Sequence, residues 1–189
     1  MKTTTLFFLL LTTFSIIAQE KFTTNSGVIN FEASVPFFEE IKAFNNTAVI
    51  NLDTKTNSFS CTVMMKDFIF ELDLMQQHFN ENYIESERYP KAVFKGKIAN
   101  FDIKEVTAVE KEYLIIGKLY IHGKFKQIEV NAQIKKVNKG IQVTSNFPIT
   151  IADFNIQIPE KVASKIAKTA NTSLTGVMHS DDVVYVTLK

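Results

Sequence analysis

Most of the chain alternates apolar and polar residues with a period of two, the pattern of strands that bury one face. In VINFEASV, for example, Ile29, Phe31 and Ala33 share one side of the predicted strand. The same alternation recurs in PKAVFKGKI and in GIQVTSNFPITI. Because polar turns separate these runs, the chain is predicted to form an antiparallel sandwich or barrel.

Two hairpins are predicted from pairs of neighbouring runs. The runs TAVINLD and SFSCTVMMK flank the turn DTKTN, so that the apolar side that carries Ile50 faces the one that carries Cys61. The runs YLIIGKLYI and FKQIEVNAQIKKV flank His122-Gly123, where a tight turn is predicted. His122 is expected to be a solvated residue of that turn.

One segment departs from the strand pattern, from Asp73 to about Arg88. Its composition favours a helix, and Phe79 and Tyr83 lie four residues apart on one face of it. Pro90 ends this helix because the residue before a proline is driven towards an extended conformation. A first short helix is therefore predicted between two strands.

A second short helix is predicted in PEKVASKIAKTA. Pro159 suits a first helical turn, and Val162 and Ile166 form an apolar stripe. The terminal residues 177–189 are assigned no element. With no linker and no repeat, residues 19–189 are predicted to be a single all-β domain with two short helices.

The first residues of the chain have the pattern of a cleaved leader. Lys2 supplies a positive start, an apolar run follows up to Ile17, and Ala18 offers a small residue at the cleavage position. This run is shorter than the roughly 20 apolar residues that span a bilayer. Residues 1–18 are therefore predicted to be a signal peptide, and the mature protein to be periplasmic or otherwise extracytoplasmic.

The composition argues against some partners but does not decide whether the interior of the barrel is filled. The chain has 21 basic and 20 acidic residues, and removing the leader takes away Lys2 and no acid. A neutral chain has no field that draws it to nucleic acid, so no such partner is expected. The single cysteine, Cys61, is expected to be a small apolar core residue. Seventeen phenylalanines suit either a packed core or a partly hollow barrel lined with rings.

The reactive side chains form no recognised catalytic or metal-binding motif. The three histidines are far apart, and the sequence contains neither GxSxG nor GxGxxG nor a P-loop. Glu81, Glu85 and Glu87 are expected to be a solvated face of the first helix. The sequence therefore predicts no catalysis, no metal and no resident cofactor.

The order and spacing of several motifs do carry a resemblance. The segments FELDLMQQHFNENYIESERYPKAVFKGKI, GKLYIHGKFKQIEVNAQI and FPITIADFNIQIP resemble the YceI-like family of exported lipid (polyisoprenoid)-binding proteins. The match spans roughly residues 27–158. Asn155 stands where that family commonly has glycine. The matching residues are Gly27, Ile29, Phe31, Tyr89, Pro90, Phe94, Gly96, Gly117, Leu119, Ile121, His122, Gly123, Asp153, Phe154 and Ile156.

The resemblance implies an extended, eight-stranded antiparallel barrel similar to a lipocalin. It further implies an apolar tunnel for a long lipid, whether isoprenoid, quinone-like or fatty, held by a monomer or homodimer without stable insertion into a membrane. The first helix would close or line one mouth of the barrel. Arg88 and Tyr89 are candidates for polar groups at the mouth. The residues expected to line the tunnel are Phe31, Val63, Met65, Phe79, Tyr83, Phe94, Leu119, Ile121 and Phe154.

Two other functions remain open on the sequence alone. If the barrel is filled by its own side chains, the domain is a structural or protein-interaction module of the cell envelope. A more remote alternative is a small hydrolase or isomerase acting on a lipid, with the histidines and glutamates as its reactive groups. The volume of the barrel interior discriminates the module from a carrier.

Overall fold

The computed structural model describes residues 21–138 and 140–180. Within these ranges eight long strands close an antiparallel barrel, in the order β1-β9-β8-β7-β6-β5-β3-β2, and β2 pairs again with β1. The two-residue strand β4 adds to the end of β2. The predicted all-β barrel with two short helices is confirmed. The strands are β1 (Lys21–Glu32), β2 (Lys42–Asp53), β3 (Ser58–Met64), β4 (Ile69–Phe70), β5 (Lys91–Ile98), β6 (Lys111–Ile121), β7 (Lys124–Val137), β8 (Gly140–Thr150) and β9 (Thr169–Ser180).

The two predicted hairpins are present, with registers that follow the alternation. Ile50 pairs with Cys61 across β2 and β3. Ile121 pairs with Lys124 across β6 and β7, so only His122 and Gly123 make the turn. Both turn residues have positive φ, 49° and 71°, which matches the two-residue turns whose twist suits a hairpin.

The first helix is shorter than predicted. The α-helix α1 spans Asp73–His78, and a single π-helical stretch, Phe79–Tyr83, continues it. The amide of Ile84 donates to the carbonyl of Phe79, and the chain then turns through Glu85 at φ 49°. A left-handed residue cannot continue a right-handed helix, so the predicted extension to Arg88 is wrong.

The second helix is also shorter than predicted, and a strand replaces its end. The helix α2 spans Glu160–Ala163 only, and β9 begins at Thr169. Strand β9 pairs with β8 and β1 and thereby closes the barrel. Part of the unassigned tail, up to Ser180, therefore belongs to the barrel wall. The rest of that tail, 181–189, lies outside the described residues, as does the predicted leader.

The two ends of the barrel are built differently. At the mouth end the strands are joined by the long segments 33–41, 65–90 and 151–168 and by the turn 122–123. At the other end, called the floor, the loops 54–57 and 99–110 join the strands and contact each other, since Asn57 Nδ2 donates to the carbonyl of Phe101 at 2.9 Å. Phe101 also packs edge-on against Tyr113 at 5.2 Å. The floor is filled by buried side chains, namely Ile50, Leu52, Ile98, Tyr113, Ile134, Ile141 and Met178.

The turn that precedes α2 ends at a residue with a left-handed backbone conformation. A 3-10 turn at Ile151–Phe154 ends at Asn155, whose φ is 57°. Asparagine tolerates this conformation better than most residues, which explains how it occupies a position where the resembled family commonly has glycine. No helix in the described part of the chain is long and apolar enough to cross a membrane.

Candidate functional site

The mouth half of the barrel contains a cavity of about 370 Å³. Its walls come from inward positions of the strands, and its opening lies among the segments 33–41, 73–84 and 151–166. Almost every wall residue is aliphatic or aromatic. Ser145 is an exception deep in the barrel, but its hydroxyl donates to the carbonyl of Asn131 at 2.7 Å, so its hydrogen-bonding capacity is used within the wall.

Four phenylalanine rings form a cluster on one side of the cavity. Phe31 of β1 lies 5.4 Å from Phe68 and 5.7 Å from Phe79, measured between ring centroids. Phe70 of β4 lies 5.0 Å from Phe79. Mixed edge and offset contacts at these separations are favourable for aromatic rings. The cluster holds the start of the π-helical stretch against the barrel and gives the cavity a rigid aromatic wall.

Phe94 owes its position to two glycines that face each other across β5 and β6. Gly96 pairs with Gly117, and the ring of Phe94 lies over both. A Cβ atom at Gly117 would lie 2.7 Å from Phe94 Cζ and 2.6 Å from Gly96 Cα, closer than packed atoms approach. The glycine pair therefore makes room for an aromatic ring to lie flat along the cavity wall.

Cys61 also faces the cavity, on strand β3 between Phe59 and Val63. It is buried, and burial raises the pKa of the Cys61 thiol to about 12. Only the thiolate is a good nucleophile, so this thiol is inert at neutral pH. Its burial agrees with the expectation of a small apolar core residue.

Among the described residues, ionisable side chains border the cavity at its mouth. Glu39 of the β1–β2 segment, His78 of α1 and Lys165 of the segment after α2 are exposed to solvent and also border the opening. Lys165 Nζ lies 6.0 Å from the ring centroid of Phe38. These groups form a mixed polar rim of both signs around an apolar interior.

The structure places eight of the nine predicted lining residues on the cavity wall. Phe154 is buried instead in the packed core near the mouth, outside the wall. Arg88 and Tyr89 also lie away from the wall: Arg88 forms an ion pair with Glu85 at 3.9 Å and lies over the ring of Tyr89 at 5.1 Å. The eight residues on the wall are Phe31, Val63, Met65, Phe79, Tyr83, Phe94, Leu119 and Ile121.

His122 is buried, contrary to the expectation of a solvated turn residue. Its side chain is 8% exposed, with Nε2 2.8 Å from Glu85 Oε2 and Nδ1 3.2 Å from the carbonyl oxygen of Phe154. Tyr89 packs edge-on against the imidazole at 4.4 Å. Both oxygens are acceptors, so a doubly protonated ring donates to both and a neutral ring to only one. The prediction failed because the chain around Glu85 folds back over the turn.

This cluster joins three separate segments of the mouth end. Glu85 lies after the π-helical stretch, His122 in the β6–β7 turn and Phe154 before α2. Its hydrogen bonds fasten the helical segment that carries Phe79 and Tyr83 to the barrel rim. Glu85 and His122 are 37 positions apart in the chain, so no local sequence pattern predicts that they form a pair.

Several wall residues were not predicted. The two rings of the FIF run, Phe68 and Phe70, lie on the wall together with Ile149 and Ile156. The period-two spacing of the two rings was a usable signal, but the run is too short to stand out as a strand. Within residues 21–138 and 140–180, no group of three or more His, Cys, Asp or Glu side chains is arranged to hold a metal ion.

A closed antiparallel barrel of eight strands with an apolar cavity open at one end defines a lipocalin-like protein. The chain belongs to the family of the YceI-like domain, whose family model matches residues 18–182. The resemblance carried by the sequence motifs is thus confirmed. A comparison with curated proteins gives no match.

Solved structures of low sequence identity share the fold. A polyisoprenoid binding domain from Saccharophagus degradans, implicated in plant cell wall breakdown, aligns with a TM-score of 0.72 at 14% identity, covering 86% of this chain and 99% of that one. BcnA from Burkholderia cenocepacia aligns with a TM-score of 0.63 at 18% identity, covering 79% and 94%. A Campylobacter jejuni YceI protein aligns with a TM-score of 0.54 at 21% identity, covering 71% and 80%.

Proposed function

We propose that this protein is an extracytoplasmic carrier that holds a long apolar or amphiphilic lipid of isoprenoid type in its barrel and catalyses no reaction on it. The observation that carries the proposal is the cavity of about 370 Å³ with its wall of aliphatic and aromatic side chains. A volume of this size lies within the usual range of ligand pockets. The polyisoprenoid binding domain from Saccharophagus degradans shares the fold and makes an isoprenoid the first ligand to test.

The physical basis of such binding is burial of apolar surface. Each Å² of apolar surface removed from water contributes roughly 25 cal/mol, so a hydrocarbon chain needs few polar contacts. The wall supplies rings at Phe31, Phe79 and Phe94 and aliphatic groups at Leu119 and Ile121. A fatty or quinone-like tail satisfies the same requirement, so the wall selects for shape and length more than for a functional group.

The polar end of an amphiphile would remain at the mouth. Glu39, His78 and Lys165 border the opening and would contact a headgroup there. Arg88 and Tyr89 lie in the His122 cluster, so we assign them to fastening the helical segment instead of to ligand contact. Phe154 supports the same segment through its carbonyl oxygen.

The cavity also favours a carrier over a module with a filled core. A barrel filled by its own side chains would have no continuous cavity, whereas the mouth half of this barrel encloses about 370 Å³. The extracytoplasmic location is proposed from the leader pattern of residues 1–18.

Native mass spectrometry of protein purified from its own host tests the proposal. We expect a mass above that of the mature chain and an apolar compound in the solvent extract. In the variant Ala92→Phe a ring projects from the wall into the cavity, and this variant should lose the bound compound. Ala108→Phe is the control because Ala108 is exposed in the floor loop 99–110. A homogeneous unliganded mass with nothing apolar extracted would contradict the carrier function.

A further inference from the structure

Exposed apolar side chains cluster around the mouth of the barrel. Phe37 is fully exposed, Phe38 is 45% exposed and Leu74 is 61% exposed, and all three lie in segments that surround the opening. In the floor loops of the described chain, Val109 is the only large apolar side chain with comparable exposure, at 76%. Soluble surfaces rarely concentrate such groups without an interaction that covers them.

The turn that presents Phe37 is built at a conformational cost. The amide of Phe38 donates to the carbonyl of Val35 at 3.2 Å, Pro36 occupies the second position, and Phe37 at the third has φ 71°. Proline at the second position and positive φ at the third are features of a type II turn, whose third position favours glycine or asparagine. A bulky residue gains nothing from this position within the folded chain, since its ring contacts solvent.

The exposed apolar surface is continuous with the cavity. Phe38 is both a wall residue and half exposed, and its neighbour Phe37 points outward. The helix α1 repeats this arrangement, with Met75 on the wall and its neighbour Leu74 outside. An apolar path therefore runs from the interior of the barrel to the outer tip of the mouth.

We propose that the mouth docks on the surface of a lipid bilayer by inserting Phe37, Phe38 and Leu74 between the headgroups. The apolar path then connects the cavity with the hydrocarbon of the bilayer, and a lipid passes between them without crossing water. The direction of this transfer rests on the proposed carrier function. The docking itself does not, because it requires only the exposed side chains.

The shape and charge of the mouth favour a bilayer over a second protein. Phe37 protrudes from a turn, and the two rings, of roughly 150–250 Å² each, together with Leu74 fall short of the roughly 800 Å² per partner that a standard protein interface buries. The rim charges are of both signs: Glu39 and Lys165 border the opening, and Glu40 pairs with Lys42 at 2.8 Å. Docking should therefore depend on insertion, with little need for anionic lipid and little sensitivity to salt.

The absence of tryptophan from the sequence permits a direct test with single reporters. Phe37→Trp places the only indole at the tip of the mouth, and Val109→Trp places it in the floor loop. With vesicles of phosphatidylcholine, the emission of Phe37→Trp should shift to the blue and be quenched by lipids brominated on their acyl chains. The emission of Val109→Trp should not change, and 0.5 M NaCl should leave both results unaltered.

A second variant separates docking from folding. Phe37→Gly suits the positive φ of the turn, so its Tm should be no lower than that of the unsubstituted protein, while its affinity for the vesicles should fall about tenfold or more through loss of the inserted ring. Phe37 is not a wall residue, so a fluorescent apolar probe such as N-phenyl-1-naphthylamine should still bind in the cavity.

The outcomes distinguish this inference from the carrier function. Unchanged vesicle binding in Phe37→Gly, or no spectral shift of Phe37→Trp while the probe still binds, overturns the docking and leaves the carrier intact. Vesicle binding without any probe or lipid in the cavity supports the docking and contradicts the carrier. A blue shift of Phe37→Trp that grows with protein concentration and needs no vesicles identifies a second copy of the chain as the occupant and also overturns the proposal.

Discussion

The floor and the mouth of this barrel are made from the same strands but are packed in opposite ways. At the floor, Ile50, Leu52 and Met178 are almost completely removed from solvent, and Phe101 closes the end against Tyr113. Towards the mouth the same strands surround a cavity. Strand β7 shows the contrast within a few residues, since Ile134 belongs to the floor and Ile128 to the cavity wall.

The difference separates stability from binding within one sheet. A packed interior has few voids larger than a water molecule, and each lost methylene group is felt. A wall residue has neighbours on one side only, so it contributes less to folding and remains available to a ligand. The floor can therefore supply much of the stability that an open mouth lacks.

Truncating one isoleucine at each end gives the largest expected difference. Ile134→Ala creates a cavity in the floor and should lower the free energy of unfolding by about 2–5 kcal/mol. Ile128→Ala enlarges a cavity that already exists, so it should cost less than about 2 kcal/mol. Urea unfolding of both variants at pH 7 measures this. Equal losses at both sites would show that the mouth half is packed as the floor is.

Replacing one alanine by leucine in each region should affect stability differently. Ala48 and Ala132 are both fully buried, but only Ala132 borders the cavity. Ala48→Leu overpacks a filled region and should lower stability by about 1–3 kcal/mol. Ala132→Leu has free volume to occupy, so it should change stability little and weaken binding of an apolar probe. Thermal unfolding and probe titration of the two variants measure these effects. Equal destabilisation of both would show that the mouth half is packed as tightly as the floor.

Removing the imidazole of His122 should loosen the mouth without affecting the floor. His122→Ala loses the hydrogen bonds to Glu85 and to the carbonyl of Phe154 and should cost about 1–3 kcal/mol. His78→Ala is the control, because His78 is an exposed residue of α1 and surface changes stay within about 0.5 kcal/mol. Hydrogen exchange should rise in residues 73–90 and remain slow in the floor strands. Faster exchange at the floor would contradict an effect confined to the mouth.

The ionisation of Cys61 at alkaline pH tests whether water reaches this part of the cavity wall. Because burial raises the pKa of the folded thiol from its ordinary value of 9.0 to about 12, ionisation favours the unfolded chain. Below about pH 9 the thiol is neutral in both states and has no effect on stability. Between pH 9 and 12 the stability should fall as the pH rises, by roughly 1 kcal/mol per pH unit, because the unfolded chain loses the thiol proton first. Cys61→Ala should remove this part of the alkaline loss. An identical pH dependence in both proteins would mean that water reaches the thiol.

The sequence predicted the barrel well because alternation reports which side of a strand is apolar. Strand β9 was not predicted, because its inward positions include Thr172 and Gly176, and the segment TANTSLTGVMHS therefore lacks a clear alternation of apolar and polar residues. The helices were predicted too long because their apolar stripes continue past the point where Glu85 and β9 impose another conformation. Tertiary pairing overrode local propensity in both places.

The sequence indicates which side chains point into the barrel, but not how far the cavity extends along it. Phe31, Val63 and Phe94 were identified as inward residues, and they lie on the cavity wall. Alternation cannot distinguish Ile128 from Ile134, since both have the same phase on β7 and only the loops at the floor decide which is enclosed. The burial of His122 likewise depends on a segment that folds back from far along the chain.

The closed floor affects the residence time of a molecule bound in the cavity. A hydrocarbon tail that enters from the mouth leaves by the same route in reverse. Each methylene group taken into the barrel contributes about 0.8 kcal/mol, so the residence time lengthens about fourfold per carbon. This gain stops where the tail meets Ile115 and Val143 at the bottom of the cavity. If the protein carries a lipid as proposed, the tails that just reach the closed end of the cavity should therefore be retained longest.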